Sequence, residues 1–316
     1  MTPLYPGDRL DHFRLEELVA RGGMASIFRA LDLDTGQQVA IKVPHPEAEC
    51  DPVLFDRFHR EGRICQDMDH PGVVKVLKQP PHKRVYMVME WVEGKLLRNL
   101  LTEEGPLPAE RALHIAIAIC DALEYIHGRG VVHRDLKPEN IMVGEHDAIK
   151  LMDFGVAARA GARRMTFGKL SQLGTPDYIA PEQVKGKRGD ARCDVYALGV
   201  TLYEMLTGTL PFRGSNPFSV MNARVVRDPY PPREANPDIS PQIEQILYRA
   251  LARDEACRYA SAREFGHDLE RPETVRIPDH DLALEQSTQH RVLMFSGIAA
   301  IPAIIFGLLM LVASHQ

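Results

Sequence analysis

One stretch constrains this chain more than any other: Val132-His133-Arg134-Asp135-Leu136-Lys137-Pro138-Glu139-Asn140, followed thirteen residues after Asn140 by Asp153-Phe154-Gly155. Asp135 is a carboxylate that can orient an attacking hydroxyl, and Lys137 is a point charge two residues away. Asn140 and Asp153 offer side-chain oxygens to a hard divalent cation. These are the needs of phosphoryl transfer, in which chemistry rests on positioning and on neutralising phosphate charge. Asp-Phe-Gly alone would be an ordinary turn; its spacing from Asp-x-x-x-x-Asn makes it informative.

A second group of residues points the same way. Residues 12 to 45 alternate apolar and polar positions, as in Gln38-Val39-Ala40-Ile41-Lys42-Val43, which predicts antiparallel strands. Gly22 and Gly23 lie between two of them, where missing side chains let a backbone turn closely over a ligand. Lys42 in an apolar strand is costly to bury without a partner. Glu61 is a candidate partner, since the apolar residues from Leu54 to Phe58 recur at helical spacing and His70-Pro71-Gly72 closes the segment.

Together these motifs resemble the protein kinases, and more narrowly the eukaryotic-like serine/threonine protein kinases of bacteria, over residues 8 to 271. The resemblance implies an α+β, two-lobed fold: a mostly-β small lobe with one key helix over residues 8–89, a hinge at 90–94 and a mostly helical large lobe over 95–271. It also implies ATP and Mg²⁺ as cofactors, with Mn²⁺ as an alternative ion. Asp135 and Lys137 take catalytic roles, and Asn140 and Asp153 hold the metal.

In the phosphate loop, Gly22 keeps the middle glycine of G-x-G-x-x-G-x-V, Gly23 adds freedom, and Ile27 stands in the valine position. Ala20 and Ala25 replace the outer glycines, a departure that puts nucleotide affinity in question. Val39-Ala40-Ile41-Lys42 reproduces V-A-I-K, so Ala40 lines the nucleotide while Lys42, paired with Glu61, meets its phosphates. Val85 to Glu90 reads as a strand ending at the hinge. There Met89 corresponds to the gatekeeper, and the backbones of Glu90 and Val92 would bond adenine.

The resemblance further assigns Arg134 to a phosphate on the activation segment, with Thr166 and Ser171 as the regulatory hydroxyls. Thr175, in Gly174-Thr175-Pro176-Asp177-Tyr178-Ile179-Ala180-Pro181-Glu182, takes a substrate-positioning role and, with Lys137, favours serine and threonine acceptors. Asp194 corresponds to a buried aspartate bracing the catalytic-loop backbone, and Arg258 to the partner of Glu182. The basic residues Arg159, Arg163, Arg164 and Lys169 read as a solvated loop.

Ala112, Leu113, Ile115, Ala116, Ile119, Leu123 and Ile126 form a stripe that predicts a core helix over Ala109 to His127, with His114 and His127 structural rather than metal-binding. Charges of both signs are interspersed around a net −5, which speaks against nucleic acid as a partner. Five scattered cysteines without a C-x-x-C pair fit reduced thiols.

Residues 272–291 are polar and proline-bearing, a juxtamembrane linker. Val292 to Ala313 then runs 22 residues without a charge, about 33 Å of helix and enough to cross a bilayer. Arg291 and the ATP-dependent chemistry orient the kinase domain to the cytoplasm of a single-pass membrane protein, in a bacterial inner or cell membrane. Gly297, Ala299, Ala300 and Ala303 suit helix packing, which admits a homodimer without requiring one.

The expected function is a membrane-anchored serine/threonine protein kinase that acts on protein substrates and autophosphorylates its activation loop. The alternative is a nucleotide-binding pseudokinase scaffold at the membrane, supported by Ala20 and Ala25 but opposed by a full set of charged catalytic residues. A small-molecule phosphotransferase is opposed by the segment from Gly174 to Glu182, which shapes a peptide site in the family.

Overall fold

The computed structural model describes residues 4–23, 25–46, 51, 58, 62, 65–79, 84–154 and 176–277. Glu61, Thr166, Ser171, Thr175 and the apolar run 292–313 lie outside them. The chain divides into a compact unit, Met1–Thr274, and a second beginning at Val275. At the end of the first unit, Pro272–Thr274 forms a helical turn with Thr274 N–H on Arg271 O.

Alternating apolar residues build the small lobe. The strands are β1 (Arg9–Leu10), β2 (Phe13–Arg21), β3 (Ala25–Asp32), β4 (Gln38–Pro44), β5 (Val76–Leu77) and β6 (Met87–Glu90). They form an antiparallel sheet in the order β1-β2-β3-β4-β6-β5. Phe13, Leu15, Phe28, Ala30, Val39, Ile41, Val43 and Val88 point to one face and close a core with Leu10 and Tyr86. Register shifts between Leu15 and Glu17 and between Leu18 and Ala20 bend β2 where it approaches the glycine pair. Residues 85 and 86, expected in the last strand, precede β6; Tyr86 instead donates its hydroxyl to Asp11 at 2.6 Å.

A tight crossing joins the lobes. Gly94 has φ +151, and a Cβ there would stand 2.4 Å from Val143 O, so no side chain fits. Beyond it, β7 (Lys95–Leu96), β8 (Ile141–Val143) and β9 (Ile149–Leu151) form a small antiparallel sheet. An isolated parallel bridge links Val73 to Leu151.

Among the described residues the helices are α1 (Leu97–Glu104), α2 (Ala109–His127), α3 (Pro181–Val184), α4 (Ala191–Thr207), α5 (Pro217–Val226), α6 (Pro232–Ala235), α7 (Pro241–Ala250) and α8 (Ala262–Glu270). The predicted stripe of α2 is buried except for Leu113. α4 has no polar face, and every residue from Cys193 to Thr207 is buried, which makes it the axis of the lobe. Asp190 caps its start on Arg192 N–H, and Gly208 ends it with φ 68. No helix among the described residues is long and apolar enough to cross a membrane. Among the described residues, Cys120, Cys193 and Cys257 carry free thiols.

Candidate active site

The chain leaves α2 and enters the loop Val131–Asn140, whose main chain is pinned from below. Asp194, at the start of α4 and fully buried, accepts His133 N–H on Oδ2 and Arg134 N–H on Oδ1, both at 2.8 Å. His127 Nε2 lies 2.8 Å from the same Oδ2. Burial pushes the Asp194 carboxyl up, but the hydrogen bond and charge of His127 and the amide of Arg134 outweigh it and hold the group below the usual carboxylate range. His127, read from sequence only as structural, thus helps hold the loop. Arg134 adopts φ 64, a conformation that costs a residue with a side chain about 1–3 kcal/mol and persists where Asp194 holds the amides of His133 and of Arg134 itself.

The strain turns Asp135 outward. Its exposed carboxylate receives Lys137 Nζ at 2.9 and 3.1 Å and Asn140 Nδ2 at 3.1 Å. Asn140 Nδ2 also donates to Asp135 O at 2.7 Å. Both bonds use the amide nitrogen, so Oδ1 of Asn140 remains to face a cation.

Asp153 arrives from β9 with φ 51, and its neighbours are tied to the same loop. Met152 N–H donates to Asn140 O at 2.9 Å, and Met152 O meets His133 Nε2 at 3.0 Å. Phe154, buried, packs on the His133 ring at 5.3 Å between centroids. His133 therefore couples the catalytic loop to Asp153, a role its place in the motif did not disclose.

Lys42, buried in β4, donates to Asp153 Oδ1 at 2.7 Å. That charge, opposed by burial and aided by the hydrogen bond, holds the Asp153 carboxyl below its usual range. Asp153 Oδ2 and Asn140 Oδ1 are hard oxygen donors of the kind Mg²⁺ prefers, so the residues fit the implied ion.

Above the site, Gly22 and Gly23 are exposed, and Gly22 N–H closes the loop on Ala25 O at 2.9 Å. Ala20 lies opposite Ile27, and Ala25 is buried at the base of the turn. Ala40 pairs with Met89 across β4 and β6, bringing two predicted nucleotide contacts side by side. Glu90 N–H donates to Lys75 O at 2.9 Å, so of that residue's main-chain groups the carbonyl is the one the hinge offers a base. Its carboxylate takes Lys150 Nζ at 2.5 Å. Val92, half-buried, follows two residues beyond the end of β6.

Further features escaped sequence reasoning because their partners are far apart in the chain. Arg98 of α1 donates to Glu139 at 2.8 Å and to Glu204 of α4 at 2.7 Å, and also bonds the Tyr178 hydroxyl. The predicted pair of Glu182 and Arg258 forms in two bonds of 2.8 and 2.7 Å, fully buried. Arg134 donates to Arg188 O and Gly189 O at 3.3 Å. A cavity of about 360 Å³ lined by Lys185, Lys187, Arg253 and Asp254 contains none of the catalytic-loop residues.

A family model described as protein kinase domain matches residues 13–269. The serine/threonine-protein kinase PknB of Mycolicibacterium smegmatis is 38% identical over 284 residues, covering 88% of this chain and 45% of that protein. PknB of Mycobacterium tuberculosis is 37% identical over 280 residues, covering 87% and 45%. The chain thus spans less than half the length of these curated relatives. The solved kinase domain of Mycobacterium tuberculosis PknI aligns with a TM-score of 0.68 at 25% identity, covering 86% of this chain and all of that one.

Proposed function

The chain belongs to the protein kinase family, and from that premise we propose that it transfers the γ-phosphate of ATP to serine and threonine hydroxyls of proteins. The observation that carries this reading is the exposed carboxylate of Asp135 flanked by Lys137 and Asn140, with Asp153 tied to the same loop through Met152. Asp135 orients the acceptor hydroxyl and receives its proton as the oxygen attacks phosphorus. Lys137 offsets charge on the transferring group. Lys42 serves the same end on the nucleotide side and shares its charge with Asp153.

Asn140 and Asp153 would hold Mg²⁺, with Mn²⁺ as an alternative, and the ion would supply positive charge against the phosphates. Gly22, Gly23, Ile27, Ala40, Met89 and the main chain of Glu90 and Val92 enclose the nucleotide, and Glu61 supports Lys42. Thr175 positions the acceptor. Autophosphorylation on Thr166 or Ser171 supplies a charge for Arg134. The uncharged run from Val292 to Ala313 supports a single-pass anchor with the kinase domain in the cytoplasm.

The test is incubation of the full chain in detergent with Mg²⁺-ATP and a general protein acceptor, with phosphosites mapped beside Asp135→Asn and Lys42→Met. Phosphoserine or phosphothreonine in the wild type, absent from both variants, is the expected result. ATP binding without label on any polypeptide would overturn the reading.

A further inference from the structure

Arg224 sits in the last turn of α5 with 1% of its surface exposed, and it directs donors to the segment that leads into α3. Nη1 donates to Ile179 O at 2.9 Å and Nη2 to Asp177 O at 2.8 Å, so the two bonds bracket Tyr178. The guanidinium also lies 5.7 Å from the centre of the Phe212 ring. A guanidinium buried this deeply is costly unless its N–H groups are bonded, so the two carbonyls are held firmly against α5.

The grip does not end at Ile179. Its carbonyl shares a peptide group with Ala180 N–H, which donates to Gln183 Oε1 at 3.0 Å. Gln183 is the third residue of α3, a position from which an amide side chain reaches back to the N–H of the residue preceding its helix. With the oxygen so engaged, the amide turns its nitrogen to the catalytic loop, and Nε2 donates to Arg134 O at 3.4 Å. Arg134 O belongs to the peptide group that enters Asp135, whose own N–H faces His133 Nδ1 at 3.4 Å. A path of hydrogen bonds and one shared peptide group thus runs from α5 to the backbone of Asp135.

We propose that Arg224 is a positioning residue for Asp135: by fixing the peptide group between Ile179 and Ala180 it fixes Gln183, and through Gln183 the peptide group that aims the Asp135 carboxylate. The left-handed Arg134 has its N–H on Asp194 and its C=O on Gln183. Freeing the carbonyl lets this strained residue relax toward an ordinary φ and turns the peptide group ahead of Asp135. A displacement of about 1 Å at a reacting group can cost about a hundredfold in rate. This inference rests on the proposed protein kinase reading, and its two assays fail separately from that reading.

The first assay measures kcat and KM for Mg²⁺-ATP and a serine- and threonine-containing peptide, using the full chain in detergent well below its melting temperature. Wild type is compared with Arg224→Met, Gln183→Leu and the double variant. In each single variant kcat should fall about tenfold or more, while KM for ATP stays within about twofold. The double variant should be within about twofold of the slower single one, because the second substitution cuts a path already cut. Arg224→Lys, whose ammonium can reach one of the carbonyls, should recover part of kcat, and it replaces Arg224→Met in the cycle if that protein does not fold. Losses that multiply in the double variant would reveal two independent structural injuries and overturn the proposal. An unchanged kcat in Gln183→Leu would overturn it as well.

The second assay needs no phosphoryl transfer. Amide hydrogen exchange is followed over residues 131–140 without nucleotide, with β3 and β4 as the reference. Arg224→Met should speed exchange in the loop by about tenfold and leave the reference strands unchanged. Gln183→Leu should match it, and adding Arg224→Met to Gln183→Leu should bring no further gain. Loop exchange that ignores Arg224→Met would refute the path even in a protein that labels no peptide. A protein that labels no peptide yet shows the coupled exchange would lose the kinase reading and keep the path from α5 to Asp135.

Discussion

Lys42 Nζ lies 2.7 Å from Asp153 Oδ1, joining a strand of the small lobe to the start of the activation segment across 111 residues. The contact makes the two halves of the candidate site electrostatically dependent on one another.

Replacing Lys42 by Met should therefore do two things. Phosphoryl transfer should fall by about 10²-fold or more, as when one preorganised charge or donor is removed from a site, measured as kcat with saturating Mg²⁺-ATP. The acid limb of stability should also change. Asp153 is held below its usual range mainly by Lys42, so its contribution is present above the ordinary value of 3.8 and lost as pH falls through the lowered one. Unfolding at a series of pH values should show a shallower acid decline in Lys42→Met. An unchanged slope would mean that the pair contributes nothing to folding.

Asp194→Asn removes a buried carboxylate that accepts two loop amides and faces His127. One acceptor becomes an NH₂ group facing an N–H, which should cost about 2–4 kcal/mol in urea unfolding at pH 7. Because the wild-type carboxyl is depressed, its contribution is complete above pH 3.8 and fades below. The difference between variant and wild type should thus shrink as acid unfolding proceeds. A difference constant with pH would contradict the depressed group.

The Glu182–Arg258 pair is buried on both sides, and the guanidinium also donates to main-chain carbonyls and lies 4.9 Å from the centre of the Tyr196 ring. Glu182→Ala should cost about 3–5 kcal/mol, because it strands a buried guanidinium. A Glu182→Met, Arg258→Met double variant should recover part of that loss. Denaturant unfolding of the three proteins would show whether the pair or its packing carries the stability.

At Gly94 even a methyl group would stand 2.4 Å from Val143 O. Gly94→Ala should destabilise the protein by about 2–4 kcal/mol and disturb the hinge, raising KM for ATP before affecting kcat. Wild-type stability and KM in the variant would refute the close approach.

The uncharged run Val292–Ala313 predicts that the full chain stays with membranes through carbonate washing at high pH and through high salt. Release of intact protein into the supernatant would remove the anchor from the proposal.

Several elements are legible in local patterning alone. The apolar stripe of Ala109 to His127 needs only helical periodicity, and α2 covers those residues. The alternation around Phe13 and Val39 needs only the two-residue period of a strand, and β2 and β4 follow it. The positions of Lys42, Asp135, Asn140 and Asp153 are readable because their chemistry is bound to short motifs. Ends of elements are less legible: Val85 and Tyr86 look like strand residues, but the Tyr86 hydroxyl is drawn to Asp11, 75 residues away.

The sequence by itself determined which charged and oxygen-donor groups this protein carries, and which stretches are helix and strand, since those follow from residue type and from spacing over a few positions. Only the tertiary structure decided which charges meet. His127 joins Asp194 across 67 residues, and Arg98 joins Glu139 and Glu204 across 41 and 106. The left-handed backbone at Arg134 and Asp153 was likewise beyond reach, because arginine disfavours it and aspartate, though it tolerates it, adopts it in only a minority of cases. Long-range hydrogen bonds impose it, and a linear pattern records no distance between residues that only folding brings together.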